Sequence, residues 1–302
     1  MVMTVDQRAA AQPRSLTAKI LSFPVRKAIR DLKGLPASLG RVGSLELRLA
    51  TTKKDIRKAQ KLRYKVFFEE GGALGDARSK LTGRDIDPYD RLCDHLIVVD
   101  HDFVNRFGRK KPKVVGCYRL LRQDVAEQEG GFYSAQEFDV APLLARHSDK
   151  RFLELGRSCV HKDWRSKKVL ELLWRGIWTY VRHHRVDVMI GCASLPGTQL
   201  SHHAGALRVL ADARADQEWS VEALPHRRAA WVERPEAETD PRRAFASLPP
   251  LLKGYLRTGA SIGADAVVDH QFGTTDVFIV MPVAQIDARY ISYFSTPGAL
   301  AA

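Results

Sequence analysis

Hydrophobic positions recur along this chain with two different periods, and these periods predict its strands and helices. Residues 45–50 alternate apolar and polar side chains, which is typical of a strand with one buried face. Residues 166–184 place large apolar side chains three and four positions apart, which predicts one long amphipathic helix. The same patterns predict helices at 53–69 and 202–215, and strands at 95–100, 113–121, 151–160, 186–194 and 277–282.

The order of these elements predicts the fold class. Three strands in succession follow the first helix, and a strand–helix–strand unit at 151–194 follows them, which favours a parallel pair in a largely antiparallel sheet. A polar, glycine-containing loop is predicted for residues 70–92. We therefore expect an α/β (α+β) domain with a mixed, mostly antiparallel central sheet flanked by helices, and not a doubly wound fold.

Composition limits the protein class. Apolar residues make up 45% and charged residues 27% of the 302 residues, which is typical of a globular domain. No apolar run reaches the length of a membrane span, and the N-terminus lacks a signal-peptide pattern, so we expect a cytoplasmic protein. Cys93, Cys117, Cys159 and Cys192 are far apart, which favours buried thiols over a disulfide framework or a zinc site.

The net charge of +13 implies an anionic partner. Residues 1–43 carry eight Lys or Arg and two acids, with apolar side chains between the cations. Such a segment can lie on an anionic membrane, and a disordered tail or packed arm is the alternative. We divide the chain into this basic N-terminal extension, 1–43, and one domain, 44–302. No nucleic-acid-binding signature is visible, so nucleic acid is not expected as a partner.

Three groups of residues can carry chemistry. Asp85, Asp87, Asp90 and Asp94 form an acidic loop that can hold a cationic group, unless it is a solvated loop. It lacks the Gly and the terminal Glu of a calcium loop, so no metal is expected.

The second group is the charged pair Glu154 and Arg157 inside an apolar strand. Burying charged side chains is costly unless they bind each other or serve in catalysis or substrate binding. The two residues therefore predict a base or a substrate anchor, with a structural ion pair as the alternative. In a regular strand the two side chains would point to opposite faces, and a bulge at Gly156 would bring them to one side.

The third group is Arg165, Lys167 and Lys168, at the predicted beginning of the helix at 166–184. A helix N-terminus normally prefers acidic side chains, so cations there indicate a bound anion such as phosphate. A solvated basic turn is the alternative. The glycines of a Walker loop or a dinucleotide-binding loop are absent.

Several motifs together resemble the ornithine N-acyltransferases of ornithine-lipid synthesis, over about residues 45–295. The matching motifs are Arg-Tyr-Lys-Val-Phe at 63–67, Asp-Pro-Tyr-Asp at 87–90, Cys-Asp-His-Leu at 93–96, Glu-Leu-Gly-Arg-Ser-Cys-Val at 154–160, Leu-Pro-Pro-Leu-Leu-Lys-Gly-Tyr-Leu-Arg at 248–257 and Asp-Val-Phe at 276–278. That family is similar to the acyl-homoserine lactone synthases and belongs to the GNAT acyltransferase superfamily. The resemblance therefore implies a GNAT-like fold.

The resemblance also implies an activity and a set of site residues. The donor would be a 3-hydroxyacyl chain on the phosphopantetheine of acyl carrier protein, the acceptor L-ornithine, and the product lyso-ornithine lipid at a membrane surface, with no bound cofactor. Glu154 would be the catalytic base, Arg157 would bind the ornithine carboxylate, and Asp87 or Asp90 the distal ammonium. The remaining implied residues are Arg63, Phe67, Arg119 and Ser158 for substrate, and Arg165, Lys167 and Lys168 for phosphopantetheine.

Two alternatives remain open at this point. One is an enzyme like the lactone synthases, which use S-adenosylmethionine. The other is a basic membrane- or nucleic-acid-binding module without activity. Charged side chains inside apolar strands argue against such a module.

Overall fold

One eight-stranded sheet organises the chain in a computed structural model that describes residues 32–229 and 240–295. The strand order is β1-β2-β3-β4-β5-β6-β8-β7, and every neighbouring pair is antiparallel except β5–β6, which is parallel. The strands are Gly40–Val42 (β1), Leu45–Leu49 (β2), Asp94–Asp100 (β3), Lys113–Arg122 (β4), Phe152–Val160 (β5), Val188–Pro196 (β6), Ser261–Asp269 (β7) and Thr274–Pro282 (β8). The predicted mixed, mostly antiparallel sheet is confirmed.

Helices cover both faces of this sheet. They are Lys53–Tyr64 (α1), Ala77–Thr82 (α2), Gln123–Gln128 (α3), Ala141–Arg146 (α4), Lys167–His184 (α5), Ala204–Ala211 (α6), Pro241–Ser247 (α7), Pro250–Arg257 (α8) and Ala288–Ser295 (α9). Helix α1 continues as a π-helical segment over Lys65–Glu70. Within the described ranges, no helix combines the length and the apolar character that crossing a bilayer would need.

Strand β3 shows how the two faces are filled. Its side chains alternate, so Leu96 and Val98 pack in the cluster that includes α5, while Ile97 and Val99 pack against α1. All seven residues of β3 are buried. Burial on both faces explains why its sequence is an apolar run rather than an alternating one.

Several elements differ from the sequence prediction. The loop predicted at 70–92 contains α2, which Asp76 caps and which Gly83 ends in the left-handed conformation at φ 58°. Strand β7 and helices α3, α4, α7, α8 and α9 were not predicted. The helix predicted at 202–215 covers only α6 after a short 3₁₀ turn. The expected N-terminal extension lies mostly outside the described residues, but β1 pairs with β2, so the sheet begins before residue 44.

Strands β5 and β6 diverge after a short parallel contact. They pair only where Phe152–Glu154 lie opposite Val188–Ile190. Beyond this contact β5 stays with β4, while β6 stays with β8. Gly191 lies where the strands part, and a Cβ atom there would come within 2.3 Å of the Leu155 carbonyl oxygen. The divergence opens a gap inside the sheet.

Candidate active site

The gap between β5 and β6 is a cavity of about 480 Å³ that passes through the sheet. Its lining on the α5 side is mainly apolar, and its lining on the opposite side carries the charged groups. The apolar side includes Tyr118, Leu155, Ala193, Leu251 and Tyr255, and the charged side includes Arg119, Glu154, Arg157, Asp269 and Asp276. The cavity can therefore hold an apolar chain on one side and a small charged molecule on the other.

A β-bulge brings Glu154 and Arg157 to the same cavity. Gly156 pairs with Arg119 and Cys159 pairs with Cys117, so Arg157 and Ser158 together face a single residue of β4. Arg157 has φ 50°, a left-handed conformation that is costly for a residue with a side chain. The predicted bulge is confirmed, although the strained residue is Arg157 and not Gly156.

Three arginines neutralise Asp85, Asp87 and Asp90 of the acidic loop. Arg63 binds Asp85 at 2.8 Å and Asp90 at 2.7 Å, while Asp87 binds Arg119 at 2.9 Å and Arg157 at 2.8 Å. Burial opposes ionisation of Asp90, but Arg63 and Arg119 outweigh it and hold the pKa of this carboxyl below its ordinary value. The loop is thus a buried ion-pair network rather than a solvated acidic surface.

Replacing Arg63 with Met is expected to lower the free energy of unfolding by about 3–5 kcal/mol, because Asp85 and Asp90 would remain buried without their nearest cation and would keep only longer contacts to Arg157 and Arg119. Arg63 is 1% exposed, so water cannot take its place. Urea denaturation at pH 7 measures the change, and Arg57→Met, at an exposed position of the same helix, is the matched control.

The pH dependence supplies a second criterion for the Arg63 prediction. The pKa of Asp90 is lowered in the folded state, so its ion pairs contribute stability above about pH 4 and lose it as the pH falls further. The difference in free energy of unfolding between the parent and Arg63→Met should therefore become smaller at acidic pH. A loss below about 1 kcal/mol at pH 7 would contradict a structural role for this pair.

Glu154 is buried and anchors a neighbouring turn. Its two carboxylate oxygens accept N–H bonds from Tyr133 at 2.8 Å and Ser134 at 2.7 Å. Burial raises the pKa of Glu154, while these bonds act in the opposite direction. The turn places the Tyr133 ring 4.7 Å from the Arg157 guanidinium and 5.2 Å from that of Arg119. Glu154 thus faces the cavity and orders its cationic wall.

Three acidic side chains cluster beside the charged side of the cavity, and two of them, Asp269 and Asp276, line it. Glu137, Asp269 and Asp276 have carboxylate oxygens within 4.8 Å of one another, and all three are buried. Arg227 binds Glu137 at 2.8 Å, but within 4.0 Å of Asp269 or Asp276 the described chain places no Lys, Arg or His nitrogen. Burial and Asp269 raise the pKa of Asp276 to about 6. The cavity therefore offers negative charge for a cationic group.

The apolar side carries hydroxyl groups that stay protonated. The hydroxyls of Tyr118 and Tyr255 lie 2.9 Å apart. Burial raises the pKa of Tyr118 to about 12, and Ser158 is a further hydrogen-bond partner of this phenol. Phe67 and Phe272 close the cavity from the π-helical segment and the β7–β8 turn, with ring centroids 5.9 Å apart.

Arg165, Lys167 and Lys168 lie at the surface around the N-terminus of α5 and do not line the cavity. Arg165 pairs with Glu70, and Lys167 pairs with Glu171 at 3.3 Å along the helix. Ser166 begins the helix without a capping bond from its side chain. Of the other predicted residues, five line the cavity: Phe67, Arg119, Glu154, Arg157 and Ser158. Arg63, Asp87 and Asp90 do not line it and belong to the ion-pair network that holds Arg119 and Arg157.

Comparison with known proteins places the chain in a family. A model of the acetyltransferase (GNAT) domain matches residues 62–175. The L-ornithine N(alpha)-acyltransferase of Agrobacterium fabrum is 48% identical over 276 residues, which cover 91% of this chain and 92% of the relative. The protein of that name from Brucella abortus is 49% identical over 257 residues, covering 85% and 90%. The chain belongs to the L-ornithine N(alpha)-acyltransferase family.

Family membership confirms the predicted resemblance, the GNAT-like fold and the enzyme class, which is acyltransferase. Among solved structures, an N-acyl amino acid synthase from uncultured soil microbes is 9% identical, with a TM-score of 0.47 and coverage of 80% of this chain and 93% of that one. That similarity is too low to add to the assignment.

Sequence reasoning missed several residues of this acyltransferase site. Tyr133, Asp269 and Glu137 were not singled out, since each stands in a segment without a recognisable motif. Tyr255 and Asp276 do lie in the late motifs that carry the resemblance. Their presence in motifs of the family could have identified these two residues as site candidates, and both line the cavity.

Proposed function

We propose that this acyltransferase moves a 3-hydroxyacyl chain from acyl carrier protein to the α-amine of L-ornithine and so forms lyso-ornithine lipid, the first step of ornithine-lipid synthesis. The observation that carries the proposal is the cavity with one apolar and one charged side, found in a member of this family. An acyl thioester and an amino acid need those two environments within reach of each other.

The charged side supplies partners for both ends of ornithine. Nη1 of Arg157 makes no hydrogen bond to another described residue, and we assign it to the acceptor carboxylate. Asp87 and Asp90 are already bound by arginines, so the distal ammonium falls to Asp276 and Asp269. An ammonium between these carboxylates would supply the cation that they lack in the described chain.

The chemistry then follows from the residues between the two sides. Glu154 takes a proton from the α-ammonium, directly or through water, and the amine attacks the thioester carbonyl. A carbon–nitrogen bond forms, and the oxyanion meets N–H groups of β5 near Gly156–Ser158, in the stretch that β6 leaves unpaired. As the carbon–sulfur bond breaks, the attacking nitrogen gives up its second proton, which passes to the leaving sulfur, so the carrier leaves as the thiol and the amide is neutral.

The donor occupies the other side in this proposal. Leu155, Leu251 and Tyr255 surround the acyl chain, and Arg165, Lys167 and Lys168 bind the phosphate of phosphopantetheine at the surface. The product is an amphiphile, which fits an enzyme that works at the cytoplasmic face of a membrane. The predicted membrane contact of residues 1–43 rests mostly on residues outside the described ones.

Incubating the purified chain with 3-hydroxyacyl carrier protein and L-ornithine is expected to yield one acyl-ornithine. Mass spectrometry measures the product, and fragmentation tells the α-amide from the δ-amide. Reactions with acyl-coenzyme A, and with lysine or glutamine in place of ornithine, test donor and acceptor in parallel. Product with none of these combinations would overturn the proposed function.

A further inference from the structure

A second concavity of about 950 Å³ lies between the exposed face of α1 and the connection from β3 to β4. Leu62, Val114 and His161 contribute to its floor. Nine Lys or Arg side chains line it, and no Asp or Glu is among its described lining residues. We call it the basic groove.

The cations of the basic groove form no direct ion pair with the described residues. Within 4.0 Å of any of the nine, the described parts of the chain place no carboxylate oxygen. Lys54, Lys58, Lys61 and Lys65 recur three or four positions apart, so they share one face of α1 and its continuation. Burial and then Lys65 lower the pKa of Lys113.

Like charges at this spacing destabilise a helix, so the arrangement opposes folding unless an anionic partner binds there. Among the interactions of this face, Lys58 donates to the Pro112 carbonyl at 3.2 Å, a contact with a neutral group. Packing of the fold does not require these mutually repelling cations, whereas binding of an anionic partner would explain them.

The basic groove adjoins the cavity through a single helical turn. Lys65 lines the groove, and the next two residues, Val66 and Phe67, line the cavity. Lys65 and Lys113 each lie 3.1 Å from Nε2 of His161, which precedes the turn that leads to Arg165 and α5. A partner bound in the groove would therefore lie close to the cavity and to the basic turn at Arg165.

We propose that the basic groove docks an acidic carrier protein, which presents its acyl thioester to the cavity; this rests on the proposed function. Charge complementarity supports this partner, because a dense set of cations selects a strongly negative surface. The concave shape favours a rounded protein surface over a flat bilayer, which would leave the floor around Leu62 and Val114 uncovered.

The test is a charge reversal in the groove. The variant combines Arg57→Glu, Arg106→Glu and Lys111→Glu, all at exposed lining positions. We expect its KM for 3-hydroxyacyl carrier protein to rise at least about tenfold, and the salt dependence of that KM to shrink. Turnover of 3-hydroxyacyl pantetheine, which carries the thioester without the protein, should stay at the parent level and also shows that the variant is folded.

A matched control separates position from net charge. Arg182→Glu, Arg208→Glu and Arg243→Glu reverse three exposed cations outside the groove, and both donors should behave as with the parent. An unchanged carrier KM in the groove variant, or an equal rise in the control, would overturn the proposal. So would a groove variant that loses binding to phosphatidylglycerol vesicles but keeps its carrier KM.

Direct binding keeps this inference separate from the proposed function. Titration calorimetry measures the affinity of the parent and both variants for the loaded carrier, whether or not product forms. A parent that binds the carrier through the groove but acylates no amino acid would overturn the function and keep the docking site. A parent that makes acyl-ornithine but binds the carrier as tightly after reversal would overturn the docking site alone.

Discussion

Replacing Glu154 with Gln is expected to lower kcat by about 10²–10⁴-fold, the usual contribution of a positioned general base. The amine of the acceptor is protonated at neutral pH, and an amide side chain cannot take up that proton. Burial raises the pKa of Glu154, which makes it a stronger base than an exposed carboxylate. Steady-state kinetics with ornithine and acyl carrier protein measures kcat and KM separately.

The competing explanation is that Glu154 only anchors the turn at Tyr133 and Ser134. Both carboxylate oxygens accept backbone N–H bonds there, and an amide nitrogen would oppose one of them. Loss of the turn would disturb the wall of the acceptor site, so KM for ornithine would rise and kcat would change less. Tyr133→Phe, which removes the hydroxyl near Arg157 but keeps the ring, should leave kcat within about tenfold. A Glu154→Gln variant that keeps the parent kcat would show that the base assignment is wrong.

The sequence predicts those parts of the fold whose burial is periodic. Helix α5 has one apolar face along its 18 residues, and β3 contains four consecutive apolar residues at 96–99, so both follow from the pattern. Strand β7 was missed because Gly263 and Asp265 interrupt its alternation. Gly263 stands there because a Cβ atom would come within 2.9 Å of the Val221 carbonyl oxygen, a contact that only the folded chain reveals.

Some residues of the candidate site could likewise be predicted from the sequence, and others could not. Glu154 and Arg157 are recognisable because charges stand inside an apolar strand, and the bulge follows from their need to share one side. The partners of Asp87 and Asp90 could not be predicted, since Arg63, Arg119 and Arg157 come from three separate elements. The acidic end of the cavity joins β7 and β8 to the segment at Glu137, and local patterns do not encode such long-range proximity.

Replacing Asp276 with Asn is expected to lower kcat/KM for ornithine by about 10²-fold, because the proposed function places the distal ammonium against this buried carboxylate and Asn removes its charge. Asn has nearly the same shape and keeps an acceptor for the Thr274 hydroxyl, which lies 2.8 Å from Asp276. L-Norvaline has the same carbon chain without the distal ammonium, so its kcat/KM should be almost unchanged. Asp265→Asn, at an acid of β7 that pairs with Arg228 and does not line the cavity, is the control.

The pH dependence of acceptor choice tests the same assignment without mutation. The pKa of Asp276 is raised to about 6, so the carboxylate is ionised at pH 7.5 and becomes neutral as the pH falls through 6. Because kcat/KM reports the free enzyme, the ratio of ornithine to norvaline should fall over that interval. The ratio cancels the protonation of the α-amine, which both acceptors share. Asp276→Asn should remove most of its fall and leave only the part due to Glu137, whose pKa burial and Asp276 raise to about 7. If the ratio is flat in the parent, or if Asp276→Asn slows both acceptors equally, Asp276 supports the structure of the cavity and does not select the ammonium.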